Sequence, residues 1–600
     1  MLDGMSKLST YGPRLKQILL VSTGWPLSKL TSRQFLIVGA VIVALWAGLT
    51  AVLLKISVHY LQEFLKPLAQ DNFWVYLVSP TVGILLTYVF VKVVLGGDMV
   101  KGTSHVLLAI AKKSSHLPKK EVFSHIATSA LTVGFGGSAG LESPIVQSGS
   151  AIGSVFSSFF SMSYRERTLL LACGAAAGIA TAFNAPIAGV LFALEVLLVD
   201  VSISAFIPLL IAGAVGALCS KIILAEGIPL SFRLIQDFNY HNALYYIGLG
   251  IGCGLLSSFY LRAYLGTEVI FKKIFPNDMA RLTGGGLLLG ALILMFPALF
   301  GEGYSSVTTL ANLQPGQIFR GSPLFSFISR SEAGLVAAVL SVALVKVFAV
   351  SLTLNAGGNG GNFAPALLVG ACFGFSFAGT LNATGLTNLP ISNFCLVAMA
   401  GVLTGIFHSP LTAIFLIAEI TGGYELIIPL MLVSALSTAV SKYLVRHSLD
   451  EAKLYQMTES AFLGKDAQVL SQLKLTGFVE RDFIAIKAGS KLRALTEAIG
   501  ASVRNVFPVV DANGNLVGIV SLEDIRSVMF KTEEYDVTLV DQLMRKPIAT
   551  VSDNEDMVKV MEKFDKTGVW NIPVLNGQTY VGFVSKSRVF STYRELLRGE

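Results

Sequence analysis

Charge is what this chain has least of. Only 14% of its 600 residues are Asp, Glu, Lys or Arg, and the mean hydropathy is +0.66, a composition that excludes an ordinary soluble protein. Charges are thinnest between Gln34 and Val445 and return to normal density afterwards. The pattern predicts a membrane domain of roughly 450 residues and a soluble tail of about 150. Basic residues never gather beside aromatics, so the net charge of +7 gives no support to nucleic-acid binding. The five cysteines (Cys173, Cys219, Cys253, Cys372, Cys395) show no CxxC or Cys/His spacing and read as small buried hydrophobes. The seven histidines show no metal spacing, and no nucleophile–base pair or His-Glu-x-x-His helix supports a membrane-embedded enzyme. His105 and His408 sit near motif turns and read as vestibule, loop or core residues. The first 30 residues lack a continuous apolar core, so no cleaved signal is expected and the first membrane helix directs insertion. Lys7, Arg14, Lys16, Lys29 and Arg33 ahead of that helix place the N-terminus inside.

What the chain does have is a repeated glycine-rich turn. GGSAGLESP (Gly136–Pro144) and GGNGGNFAP (Gly357–Pro365) both read Gly-Gly-polar-x-Gly-x-x-x-Pro at an offset of 221. Each opens an apolar segment, where free N–H groups and the positive end of a helix dipole favour an anion. A second pair of motifs repeats at an offset of 224. Phe183-Asn184-Ala185-Pro186-Ile187 matches Phe407-His408-Ser409-Pro410-Leu411, and each proline precedes a glutamate by nine residues, Glu195 and Glu419. GGNGGNF is not a phosphate loop, because no Gly-Lys-Ser/Thr follows it.

The expected spans begin with Phe35–Leu61 and Phe73–Leu95. Gly96–Leu117 is too short and mixed for a simple crossing, and Ser124–Val133 is a short apolar piece. The first half continues with Ile145–Ser161, Thr168–Phe183, Pro186–Val199 and Ala205–Leu224. The second contains Ala243–Leu265, Leu282–Phe300, Gly334–Leu354, Ala366–Leu381, Phe394–Ile406, Leu411–Ile420 and Leu426–Val445. Short, Gly- and Pro-broken helices at matching places in two halves point to a site at mid-membrane. After Leu449 two copies of about 60 residues read helix, strand, Asn/Gly turn, strand, helix. One is centred on Phe507–Val510 and Val517–Asp524, the other on Ile572–Leu575 and Val581–Arg588.

Together these motifs resemble the CLC chloride channel and transporter family, with a tail similar to a pair of cystathionine-β-synthase-type (CBS) domains. The resemblance covers nearly the whole chain. It implies an all-α membrane protein with the inverted-repeat CLC fold and short broken helices, followed by a cytoplasmic α/β CBS pair. The implied domains are a cytoplasmic segment over 1–32, a CLC-like membrane domain over 33–450, and tandem CBS domains over 451–600 (about 465–530 and 541–600). The family further implies a homodimer in the lipid bilayer, both termini cytoplasmic, placed in the plasma (inner) membrane, with chloride or a similar anion as partner. No cofactor is required.

Glu142 falls on the family's gating glutamate, with Leu141 and Ser143 where Arg and Gly are usual. Gly140, Leu141, Gly361, Asn362 and Phe363 fall on the anion-binding turns. The family's Gly-Ser-Gly-Ile-Pro loop is degraded. An ungapped register places Lys101 at the anion-coordinating serine, while a small gap supplies Thr103 or Ser104. A snorkelling Lys101 facing the cytoplasm is the alternative. The tyrosine that completes the site is replaced by Asp450, for which Lys101 is a candidate partner. Otherwise the segment is shifted and Tyr455, or no side chain, lines the pore. Val196 stands where proton-coupled relatives carry a second glutamate. Loss of that titratable group leans toward a passive anion (chloride) channel, with an antiporter and a non-conducting nucleotide sensor as the other readings. In the tail, Ser521 and Asp524 retain the pattern of an adenine-nucleotide (ATP, ADP or AMP) site, but Arg588 takes the acid's place in the second copy. A pair that only packs and dimerises is the alternative.

Overall fold

The computed structural model describes residues 31–72, 74–97, 99–112, 114–198, 203–223, 236, 238–323, 331–385, 387–457 and 473–598. Nearly all of the expected N-terminal segment 1–32, with four of the five basic residues used to orient it, lies outside them. The chain divides into two compact units, Met1–Phe462 and Leu463–Glu600.

The named elements of the membrane unit, among its described residues, are all helices. Its first half contains α1 (Ser32–Asp71), α2 (Trp74–Val94), α3 (Thr103–Lys112), α4 (Glu121–Gly134), α5 (Glu142–Phe159), α6 (Tyr164–Phe183), α7 (Pro186–Phe192) and α8 (Ile203–Ile223). Its second contains α9 (Ala243–Ile274), α10 (Asp278–Met295), α11 (Tyr304–Ala311), α12 (Glu332–Asn355), α13 (Phe363–Ala383), α14 (Ile391–Phe407), α15 (Pro410–Thr421), α16 (Ile427–Leu444) and α17 (Leu449–Met457). Nine helical stretches among the described residues are long and apolar enough to cross a bilayer. The others are short. The ambiguous stretch after Leu95 forms the ten-residue α3, and α17 packs on it. The membrane unit therefore runs past the expected boundary at 450.

The repeat seen in the sequence is a repeat of packing. α5 and α6 lie against each other through glycines: a Cβ on Gly149 would sit 2.3 Å from Gly174 O, and one on Gly174 2.0 Å from Gly149 O. Their counterparts α13 and α14 meet in the same way, with a Cβ on Gly374 falling 2.2 Å from Phe394 O. Small residues let the backbones approach where hydrocarbon supplies no hydrophobic drive between helices. α6 and α14 each end in a left-handed residue, Asn184 (φ 53°) and His408 (φ 55°). Pro186 and Pro410 then open α7 and α15, where a missing N–H costs nothing. α7 continues as a π-helical turn, Ala193–Leu197, which carries Glu195.

In the tail, β3 (Val506–Val510) and β4 (Leu516–Ser521) form the first hairpin, and β6 (Asn571–Asn576) and β7 (Thr579–Ser585) the second. Gly514 (φ 81°) and Gly577 (φ 64°) supply the left-handed turn residues. A short parallel strand flanks each hairpin: β2 (Ile486–Lys487) beside β3, and β5 (Val551–Ser552) beside β6. β1 (Val479–Glu480) pairs with β7, so the start of the tail closes the second sheet. Helices α18 (Leu492–Ala501) and α19 (Met557–Thr567) precede the hairpins, burying Leu492 and Leu495, and Val560 and Phe564. The order matches the expected helix–strand–turn–strand arrangement.

Candidate functional site

The two glycine-rich turns touch. Gly140 N–H donates to Gly361 O and Gly361 N–H to Gly140 O, each at 2.8 Å. Side chains would prevent this contact, since a Cβ on Gly360 would lie 2.4 Å from Ala139 Cβ and one on Gly361 2.7 Å from Ser143 Cβ. Two threonines lock the pair reciprocally. Asn359 N–H donates to Thr132 Oγ1 (3.0 Å) and Ser138 N–H to Thr353 Oγ1 (3.1 Å). Thr132 and Thr353 stand 221 residues apart, the same offset as the turns. That signal was legible in the sequence and was missed.

Glu142 is the first residue of α5 and 2% exposed. Its Oε2 accepts from Ala364 N–H, in the first turn of α13, at 3.3 Å, and its Oε1 accepts from the Tyr304 hydroxyl. A carboxylate of one half thus occupies a backbone donor of the other. Phe363 closes the space between the rings of Phe183 and Phe407, both at 5.6 Å between centroids. Tyr304 lies in Gly301-Glu302-Gly303-Tyr304, where a lone acid between apolar segments was the available clue. Lys346, fully buried on α12, was also missed. It donates to Ser138 Oγ (2.8 Å), Gly301 O (3.2 Å) and Leu299 O (3.4 Å), so one cation braces the first turn and the loop before Tyr304.

A cavity of about 350 Å³ adjoins Glu142, lined by Lys101, Thr103, Ser104, Phe363, Asp450 and Lys453 among others. Gly361 and Asn362 also line it, whereas Gly140 does not and Leu141 packs into the core at 1% exposure. Because Gly140 and Gly361 spend their N–H groups on each other, those two donors are unavailable to an anion. This corrects the sequence expectation for both. Lys101 does not snorkel away: its ammonium donates to Gly357 O (2.6 Å) and Gly358 O (2.9 Å). It therefore does not pair with Asp450. Asp450 Oδ2 is buried without a hydrogen-bond partner among the described residues. Thr103 Oγ1 meets Ser143 Oγ at 3.1 Å, joining α3 to α5. Tyr455 is half exposed and absent from the lining. The tyrosines here come from α9. Tyr264 lines the cavity under Lys453 Nζ (5.0 Å), and Tyr260 donates to Asn362 Oδ1 (2.9 Å).

Glu195 and Glu419 cross between the halves. Glu195 accepts from Leu411 N–H (2.9 Å) and Thr412 N–H (2.7 Å) at the start of α15. Glu419 accepts from Ile187 N–H (3.0 Å) and Ala188 N–H (2.9 Å) at the start of α7. Both carboxylates cap helices, a structural use that the sequence did not reveal.

In the tail, Asp524 Oδ2 accepts from Ser521 N–H (2.8 Å) and Ser521 Oγ (2.6 Å) and lies 3.5 Å from Arg545 Nε. The expected ribose-binding acid is thus engaged in capping the helix that follows β4. Ser585, at the matching place, donates to Glu480 Oε1 at 2.8 Å.

The membrane unit is thus two helical halves joined at paired glycine-rich turns. The family description "Voltage gated chloride channel" matches residues 83–442, and "CBS domain" matches 476–531 and 540–595. The chain belongs to this CLC family and carries a CBS pair. A ClcB-like chloride channel protein of Ralstonia nicotianae is 29% identical over 388 residues, spanning 64% of this chain and 85% of the relative. A voltage-gated ClC-type chloride channel ClcB of Escherichia coli is 28% identical, spanning 51% and 72%. Among solved structures, a slow cyanobacterial Cl−/H+ antiporter aligns with a TM-score of 0.59 at 22% identity, covering 72% of this chain and 99% of its own. A CLC-type fluoride/proton antiporter gives 0.58 at 24%, covering 70% and 98%. A eukaryotic CLC transporter gives 0.59 at 18%, covering 92% and 97%. At these identities the structures establish the fold.

Proposed function

We propose that the chain is a passive chloride channel gated by Glu142, with the CBS pair as a regulatory module. The observation that carries this reading is the hydrogen bond from Ala364 N–H to Glu142 Oε2. An anion at the junction of α5 and α13 would need that donor, so carboxylate and anion compete for it. Withdrawal or protonation of the carboxylate opens the site. Val196 supports passive conduction because no second carboxylate follows Glu195, and Glu195 itself is held by α15. Lys101, Thr103, Ser104, Asn362 and Phe363 form the remaining anion wall, with Lys101 acting through its charge while bound to the second turn. Asp450 opposes it and sets how readily an anion leaves.

One observation favours proton exchange as the second reading. Glu302, two residues from Tyr304, has a buried Oε1 without a partner among the described residues, a second titratable group close to the gate. Full-length protein in chloride-loaded liposomes separates the two. Chloride efflux without proton uptake at a pH electrode supports the channel, and stoichiometric proton movement sinks it. Glu142→Gln is expected to speed efflux and remove the gate's share of its pH dependence. An unchanged rate would falsify the gate assignment. The working unit we propose is a homodimer in the plasma (inner) membrane with cytoplasmic termini. An adenine nucleotide would bind the tail only if Asp524 exchanged Ser521 and Arg545 for ribose hydroxyls, which calorimetry with ATP against Asp524→Ala reads directly.

A further inference from the structure

Behind the first residues of α3 lies a group of titratable side chains that the gate does not use. His105 Nδ1 stands 3.5 Å from Glu121 Oε2, and His125 Nε2 stands 3.9 Å from the same oxygen. All three residues are buried, with relative exposures of 1%, 7% and 0% for His105, Glu121 and His125. Glu121 Oε2, His105 Nδ1 and both ring nitrogens of His125 have no hydrogen-bond partner among the described residues. One carboxylate oxygen thus faces two imidazoles in a place shielded from solvent, where a proton held among them lowers the cost of burying a charge. An ionised Glu121 is balanced by one imidazolium, and a second proton leaves the cluster with a net positive charge. Burial disfavours the charged form of His125 and Glu121 favours it, so the balance between them sets where the cluster takes up its second proton.

The cluster is connected to the anion site on two sides. His105 follows Ser104 and Thr103 in α3, both of which line the cavity, and Thr103 contacts Ser143 beside the gate. Asn359, in the second glycine-rich turn, reaches His125 O (3.5 Å) and Thr128 Oγ1 (2.8 Å) through Nδ2. α3 also packs on α17, where the chain leaves the membrane unit. Other charged and polar groups lie at α3 and α4 and on the elements packed against them. Lys101, ahead of α3, adds to burial in opposing a charge on His125. α5 presents Ser148, whose hydroxyl meets Glu121 O at 3.4 Å, and carries Glu142 at its start. Lys120, beside Glu121, donates to Leu95 O. α2 carries Lys92 over the Tyr88 ring, and α1 carries Lys55, which donates to Ala182 O.

We propose that His105, Glu121 and His125 form a proton-binding site that raises anion entry into the adjoining cavity when it takes up a proton. The added charge sits behind the cavity wall in a low-dielectric surrounding, where it acts on an anion far more strongly than through water. The proposal rests on the anion-pathway reading of that cavity. Its test uses full-length Glu142→Gln protein in liposomes, which removes the gate's own titration. Chloride efflux is expected to rise roughly threefold between about pH 7.5 and pH 5.5. Adding H105Q together with H125Q is expected to flatten that response, and E121Q, kept as a separate variant against misfolding of the first, to shift it. An unaltered response in the variants that elute as the parent does overturns the proposal. A pH electrode runs in parallel. Coupled proton movement in the unaltered protein overturns the channel reading alone. Loss of that coupling, rather than of the pH response, in the histidine variants makes the cluster a transport relay and overturns the regulatory role.

Discussion

At the scale of single residues, the Tyr304 hydroxyl and the Ala364 N–H hold the carboxylate of Glu142, the gate we propose. Tyr304→Phe removes the donor to Glu142 Oε1 while keeping the ring that packs on Phe183. A hydrogen bond to a charged group contributes about 1.5–3 kcal/mol. The carboxylate should therefore leave more readily, and chloride efflux should rise by about tenfold if opening limits conduction. An unchanged rate in the liposome assay would mean that Tyr304 only packs. Lys346 makes a different prediction. Lys346→Met fills the same space but strips partners from Ser138, Leu299 and Gly301. Buried carbonyls left unmet cost about 1–3 kcal/mol each, so the purified variant should melt well below the parent. Equal melting temperatures would sink the bracing role.

At the scale of elements, the glycine-rich turns work because nothing projects from them. Gly360→Ala places a methyl group 2.4 Å from Ala139 Cβ, and the backbone on both sides is fixed by the Gly140–Gly361 bridge. The turns must separate. We expect loss of chloride flux with the helices still formed, read by circular dichroism beside efflux. The hairpin turn of the tail gives a pH prediction. Asp511 Oδ1 accepts from Asn513 N–H and Asn515 N–H at 2.8 Å each, and these donors, with the Asn515 bond first, hold its carboxyl below the ordinary carboxylate range. A lowered folded-state value stabilises the fold above the unfolded value, and the effect is lost as pH falls through the folded one. Asp511→Ala should therefore lower the tail's melting temperature near pH 7 but change it little near pH 2. An equal loss at both values would assign the effect to packing.

At the scale of the whole membrane unit, Glu195 and Glu419 tie the halves together by capping each other's short helices. Glu195→Ala leaves two N–H groups of α15 and the Thr412 hydroxyl without their acceptor. Caps of this kind contribute about 0.5–2 kcal/mol, and more where water is scarce. A lower melting temperature is expected in both Glu195→Ala and Glu419→Ala. The backbone caps match, but Glu195 also holds the Thr412 hydroxyl, so its loss should be the larger, and a larger loss in Glu419→Ala would argue against this account.

Much of this was legible in the sequence because it was written twice. Offsets of 221 and 224 exposed the two halves, and Pro-initiated short helices exposed a site built from broken elements. Glu142 lay in the repeated motif itself. Side-chain partners were not legible, since a lysine or glutamate in an apolar run reads alike whether it lines a cavity or caps a distant helix. Charge alone made Lys101 a candidate partner for Asp450, yet it binds the carbonyls of Gly357 and Gly358. Glu195 drew attention for its neighbour Val196, whereas its own carboxylate holds α15. Composition and repetition determined the membrane unit, its two halves and the tail, because burial in lipid and backbone satisfaction depend on residue type and order. Only the tertiary structure decided which donors remain for an anion and which acids are already committed. Those assignments depend on contacts between residues more than 200 positions apart, where angstrom-scale distances determine whether a charge is paired.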